Sequence, residues 1–333
     1  MAGDVIGPPI EYASAAALRE ALKSIRQELA DNSEVQTFLK NARKRRNCAV
    51  DFLFVFSAFG LGFYLVAAYA LAMPALAGAG TVSIVAALSA VSALSHESWH
   101  GHLTSSPGVN DALSEWFLSP LLVADYHVQR RDHLFHHSYL GDDKDPDGML
   151  YRMNGREFTL MLLRRFLIVP YLLKVMGFVK EASSTQPAHA MISSKAAWLR
   201  IALVHGIWVG MLLLSAALVF GNVAQLSVAL FLGYLLPLLL SSTMIALRGH
   251  REHARDLATG YTITYNTHCN VAERWLISGG YFNLHACHHL FPELPQHRLP
   301  AFSRLLYAQG IARHLSSSQS VISARSSYFS ASA

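Results

Sequence analysis

The chain has 333 residues; 52% are apolar and only 15% are charged. Soluble domains carry nearer a quarter charged residues, and here the apolar excess falls in long runs, which argues against an ordinary water-soluble fold and for a membrane. The net charge of +5 is modest and no basic stripe interleaves with aromatics, so nucleic-acid binding is disfavoured; a membrane-facing surface or an acidic protein partner fits better.

In chain order, the start shows no short apolar core behind a basic tip, so no cleaved signal peptide is expected. Residues 14–46 mix Leu and Ala with many charges and predict an amphipathic helix within an N-terminal segment, 1–49. Two apolar stretches follow, 51–73 and 75–95, parted at Met73-Pro74. Each approaches the ~20 residues that cross the hydrocarbon core as a helix, the form in which a backbone satisfies itself in lipid. His96, His100 and His102 close the second stretch in HESWHGH, and His133, His136 and His137 lie in HLFHH. Residues 158–179 are apolar but interrupted by Arg164, Arg165 and Lys174, which predicts a helix lying in the interface rather than a fifth span. A second apolar pair, 197–220 and 223–247, is broken at Phe220-Gly221-Asn222. His250 and His253 follow in RGHREH, then His285, His288 and His289 in HACHH. Residues 307–333, rich in Ser and Ala, read as a loose tail. Cys48, Cys269 and Cys287 form no CxxC pair, and their odd number argues against a disulfide framework. No internal repeat is visible.

The expected architecture is thus an all-α integral membrane protein with four transmembrane helices in two hairpins. Segments 1–49, 96–196 and 248–333 hold every Lys and Arg except Arg200, which lies near the start of the third span and can snorkel back. By the positive-inside rule both termini and the central loop face the cytosol. All four histidine groups then fall on that one side, in a helical cap.

His96 and His100 are four residues apart and share a helix face. In HxxHH, positions one, four and five offer helix neighbours of the first histidine plus one ring directed sideways, so one helix can serve two adjacent metals. Imidazole suits iron, zinc, copper and nickel. So many ligands exceed what one metal takes and suit two. His189, His205 and His314 read as surface or packed residues, and His127 and His297 as structural or supporting ones. Carboxylates that could accept the outer ring N–H of a ligating histidine are Glu97, Asp132, Asp142, Asp143, Asp145, Asp147 and Glu252.

At these residues the sequence resembles the membrane fatty acid desaturase superfamily, which includes hydroxylases, acetylenases and carotenoid ketolases. The resemblance covers residues 50–306. Its most specific piece, NLHACHHLFPELPQHRLP from Asn283 to Pro300, is similar to the third histidine box of that family; HLFHHSYLGDDKDPD resembles the second and HESWH the first. The resemblance implies four spans, a cytosolic cap holding two irons, and nine ligands: His96, His100, His133, His136, His137, His253, His285, His288 and His289. His250 competes with His253 for the position before the third box, and His102 is a substitute within the first. Cys287 departs from many relatives; as a soft thiolate among hard ligands it reads as packing.

The implied chemistry is hydrogen removal from an unactivated C–H bond, with O2 as co-substrate and two Fe ions as cofactor. A second removal gives an alkene, and oxygen transfer gives an alcohol, so a hydroxylase or ketolase is the alternative to a desaturase of fatty acyl or similar lipidic chains. No fused cytochrome or flavin motif is present; an external donor of ferredoxin, rubredoxin or cytochrome type is expected, alongside membrane lipids as partners. Two rivals compete. His96-Glu97-Ser98-Trp99-His100 is literally HExxH, the zinc metalloprotease pattern, and Asp145-Pro146-Asp147-Gly148 resembles the second motif of intramembrane proteases. That reading leaves both HxxHH motifs unexplained. A metal transporter needs polar residues through the spans, which hold almost none besides His205.

Overall fold

The computed structural model describes residues 15–42, 48–148, 153, 155–166, 194–220, 223–253, 266–267, 269–280, 282–309 and 317–318. Two amphipathic helices, α1 (Ala15–Asp31) and α2 (Ser33–Ala42), replace the single N-terminal helix expected from composition. The break is Asn32, whose Oδ1 accepts the amides of Glu34 and Val35 and so starts α2.

Among the described residues four helices are long and apolar enough to cross a membrane: Ala49–Tyr69 (α3), Pro74–Trp99 (α4), Lys195–Leu218 within α8 (Lys195–Phe220), and Gln225–Glu252. The fourth is built from α9 (Val223–Leu230), a π turn (Phe231–Leu235) and α10 (Leu236–Glu252). Helix α4 is the central one, buried along most of its length; the others present exposed apolar sides, as lipid-facing helices do. Pro74 at the first turn of α4 ends the first span and starts the second. The second and fourth spans run past the ends of their apolar stretches, so His96 and His250 lie on helix rather than after it, whereas the first stops at Tyr69, short of the expected 73.

Small residues set the spacing. A Cβ at Gly62 would meet the Gly80 carbonyl oxygen at 2.8 Å, and one at Gly80 would meet the Gly62 carbonyl oxygen at 2.8 Å, so α3 and α4 cross backbone to backbone. The π turn in the fourth span frees two carbonyls, and neighbours satisfy both: Thr81 Oγ1 donates to Leu232 O (2.8 Å) and Trp208 Nε1 to Gly233 O (3.1 Å).

Between the second and third spans run α5 (Pro107–Leu113), a π turn (Ser114–Leu118) and the short helix Ser119–Leu121. This strap is tied to the end of α4 through Ser98 Oγ to Ser114 Oγ and Asn110 Nδ2 to Ser98 O, and to the third span through Arg200 and Glu115 (2.8 Å). Pro120 O accepts both Val123 N and a ring nitrogen of His205. That pair of bonds holds Val123 at φ 55°, a strained value for a β-branched residue. Asp125 then caps α6 (Tyr126–Tyr139), accepting the amide of His127. His205 is thus a packed histidine, its other ring nitrogen 3.0 Å from the Tyr234 hydroxyl.

Among the described residues the remaining elements are α7 (Gly155–Phe166), α11 (Val271–Leu276), α12 (His285–Leu290), a 3-10 turn (Gln296–Arg298) and α13 (Leu299–Ala308), with Asn266–Thr267 bridging Ser317–Ser318 in parallel. Helix α7 carries exposed Leu160 and Leu163, in keeping with an interfacial helix; 167–179 of that expected stretch, most of the tail, His189 and His314 lie outside the described residues. Gly279, with φ +56°, lies where any Cβ would collide with the Ser89 carbonyl, which seats α11 directly on α4.

Candidate metal centre

Four helix ends converge at one end of the bundle. His96 and His100 come from the last turn and C-cap of α4, and His133, His136 and His137 from α6. His253 is the C-cap of α10, and His285, His288 and His289 lie on α12. Their nitrogens form two groups, each with all ligand atoms within 4.8 Å of one another: His96, His100, His133, His137 and His288 in the first, and His136, His253, His285 and His289 in the second.

The two HxxHH helices are used in mirrored fashion. On α6 the i, i+4 pair (His133, His137) joins the first group and His136 the second. On α12 the i, i+4 pair (His285, His289) joins the second and His288 the first. One helix face cannot present all three imidazoles to one point, because i+3 and i+4 diverge by roughly a quarter turn.

The distances suit a cation. In the first group Nε2 atoms stand 2.8 Å apart for His100 and His133, 2.9 Å for His133 and His137, and 3.0 Å for His137 and His288. In the second the values are 2.8 Å for His253 and His285, 3.1 Å for His285 and His289, and 3.3 Å for His136 and His289. Two nitrogens at right angles around a cation about 2.1 Å away sit about 3.0 Å from each other. Both ring nitrogens of His96 are buried with no hydrogen-bond partner among the described residues, a costly state unless a metal takes a lone pair.

Electrostatics agree. Burial, reinforced by neighbouring imidazoles, drives His133, His137, His253, His285, His288 and His289 well below the ordinary histidine range. Burial also brings His100, next to His102 and Arg130, down to about 3. These rings are therefore neutral near pH 7, with lone pairs available. His136 goes the other way: burial opposes its charge, but the bond to Asp145 outweighs it and raises its pKa. Its Nδ1 donates to Asp145 at 2.9 and 3.1 Å, which turns Nε2 toward the second group. Asp145 is itself fixed by the amides of Gly141 and Asp147.

The other sequence candidates fall nearby in different roles. Glu252 Oε2 lies 3.8 Å from His285 Nδ1 and 3.6 Å from Arg248 Nε. Glu97 Oε2 accepts the amide of Gln296 (3.0 Å), tying the first box to the segment after the third. His102 stacks on His100 and lies 3.8 Å from Glu97 Oε1, and the His250 ring stacks on Phe158 with centroids 4.0 Å apart; neither belongs to the two groups. Asp132 is engaged by Arg131, and Asp142 by Arg19. His127 is largely exposed beside Glu115. Cys287 is fully buried, and burial pushes its thiol up to about 11, so it is protonated packing.

Sequence reasoning missed Asn266, Thr267 and Asn283. Asn266 Oδ1 accepts the amide of Cys287 in the first turn of α12 (3.3 Å), and its Nδ2 reaches Cys287 Sγ (3.4 Å). Thr267 N donates to Asn283 O at 2.7 Å, and Asn283 Nδ2 to Thr267 O at 2.8 Å. The helix bearing three histidines is therefore capped from a distant segment. The only signal in the sequence is a pair of short polar residues, too common to single out.

Comparison with known proteins agrees with the geometry. A model of the fatty acid desaturase family matches residues 72–317, well over half of the chain and all nine clustered histidines. No curated protein was found to match. The chain belongs to the fatty acid desaturase family, membrane oxidoreductases acting on lipid acyl chains.

Proposed function

We propose that this chain is an O2-dependent di-iron desaturase that introduces a double bond into a fatty acyl or similar lipidic chain. The observation that carries this reading is the pair of adjacent imidazole groups, five and four histidines, with nitrogen spacings that match neighbouring ligands on one cation. His96, His100, His133, His137 and His288 would hold one iron, and His136, His253, His285 and His289 the other. When bound, the two irons supply the activation of O2 needed to take hydrogen from an unactivated C–H bond.

The chain's own residues do the rest. Asp145 takes the outer N–H of His136 and fixes which nitrogen faces inward. Glu252, near Arg248, places Oε2 3.8 Å from the outer ring nitrogen of His285, on the side where a supporting carboxylate belongs. Phe282, stacked on His285 and edge-on to His96, shields the centre from water. The reacting unit is residues 50–306. The asymmetry of Lys and Arg supports a cytosolic centre with both termini on that side, where an external one-electron donor of ferredoxin, rubredoxin or cytochrome type would dock.

The test is to purify the protein in detergent, load it with Fe(II), and count metals beside a His285→Ala/His289→Ala variant. Reductant, O2 and acyl lipids are then supplied and the products analysed by mass spectrometry. Two irons, diminished in the variant, with loss of two hydrogens from the acyl chain, is the expected outcome. An alcohol product would reassign the chain as a hydroxylase. One zinc that survives the double variant and disappears with His96→Ala would replace this reading by the HExxH one.

A further inference from the structure

The family match begins at residue 72, yet helices α1 and α2, which precede it, lie directly against the third histidine box. Arg19, Leu22, Arg26 and Leu29 are spaced by three, four and three residues and share one face of α1. Leu29 is fully buried and joins Val35 of α2 in a core with Cys287, Leu290 and Phe291 of the α12 region; Leu22 and Ile25 pack on the same core.

The two arginines reach out from this stripe. Arg26 Nη2 donates to both carboxylate oxygens of Glu293, at 2.9 and 3.1 Å, with its guanidinium 5.4 Å from the Phe291 ring centroid. Glu293 follows His289 by four residues. Arg19 Nη1 lies 3.1 Å from Asp142 Oδ2, in the turn that also presents Asp145 to His136.

Both arms therefore end on elements that hold the second histidine group. His285 and His289 are two of its four members, and His136 is a third. The helix that Arg26 reaches gives two members, His285 and His289, to the second group and only His288 to the first, and the turn that Arg19 reaches bonds a histidine through Asp145, on His136 of the second group, although α6 also carries His133 and His137 of the first.

We propose that α1 is a brace for the second metal position. It sets how firmly His136, His253, His285 and His289 retain their metal, and has little influence on the first group. Arg19 and Arg26 are positioning residues that act through Asp142 and Glu293. This rests on the two-metal reading above.

The experiment uses the full chain in detergent, loaded with Co(II) as probe and challenged with EDTA. Bound cobalt is counted and its ligand-field absorption followed in wild type, in Arg19→Glu/Arg26→Glu, and in the charge exchange Arg26→Glu/Glu293→Arg. Wild type should hold two cobalts. The double variant should release one about ten-fold faster, the scale of losing an outer support of a ligand set, while the other leaves at the wild-type rate. Single half-exposed ion pairs contribute little, so Leu29→Ala added to the double variant should widen the gap between the two rates. The charge exchange should restore slow release. Wild-type rates for both cobalts in the double variant would overturn the proposal. So would equal acceleration of both, which would mean general loosening. A wild type that binds fewer than two cobalts would overturn the two-metal reading itself, and the brace with it; the wild-type control thus separates the two failures.

Discussion

Asp145 illustrates how much of this site rests on single atoms. Its carboxylate accepts from His136 and from two amides, leaving the histidine one usable tautomer. Asp145→Asn keeps the shape but offers one acceptor where a carboxylate offered two. It should weaken metal binding at the second histidine group about 10- to 100-fold and spare the first, as read by metal titration. Asn266 works at the other box, and Asn266→Ala removes two buried bonds from the start of α12. That should cost about 1–2 kcal/mol, seen as a lower thermal midpoint of the metal-free protein. Asp145 was legible in advance because a DPD sits just after HLFHH. Asn266 was not, since it lies twenty-one residues before the amide it caps and the pairing exists only once the chain has folded back.

At the scale of elements, the spans were legible as apolar runs, and their ends were off by a few residues: α4 and α10 continue past the last apolar side chain, whereas α3 stops at Tyr69, short of the apolar run's end. Histidine spacing marked α6 and α12 as the helices that bring histidines to the cluster. What spacing left open was which imidazole joins which group, because that depends on how two helices face each other. It also left His250 and His253 as rivals; the helix ends at Glu252, so His250 turns to Phe158 while His253 is freed to turn inward. Helix contact offers its own test. Gly62→Val would drive a side chain into Ile84 and the Gly80 carbonyl and should destabilise the protein by about 1–3 kcal/mol. Gly60→Val, with no atom within 4 Å of the added Cβ, is the matched control and should unfold within a degree or two of wild type. Equal midpoints for the two variants would mean that the crossing of α3 and α4 is not tight.

The whole molecule joins a four-helix membrane bundle to a cap made from both ends of the chain. The bundle could be read from hydropathy, but the docking of α1 and α2 on the third box could not. Arg26 and Glu293 are 267 residues apart and, as charges, look like solvated surface in a sequence. Orientation can be checked with cysteines introduced at exposed sites. A membrane-impermeant maleimide should label Met73→Cys, between the first two spans, in intact cells. It should label Ser33→Cys on α2 only after permeabilisation. The reverse pattern would place the histidine centre on the outside.

The mirrored use of the two HxxHH helices has a consequence for how the protein is made. Each metal position takes imidazoles from α6 and from α12, so neither half of the chain contains a finished site. A ribosome that has passed the fourth span has produced four of the five members of one group and two of the four of the other. Neither histidine group is complete until α12 is made, so the full set of either group exists only after all four spans have been synthesised. On the proposed two-metal reading, full ligation of either position therefore waits for α12, the last helix to supply a histidine.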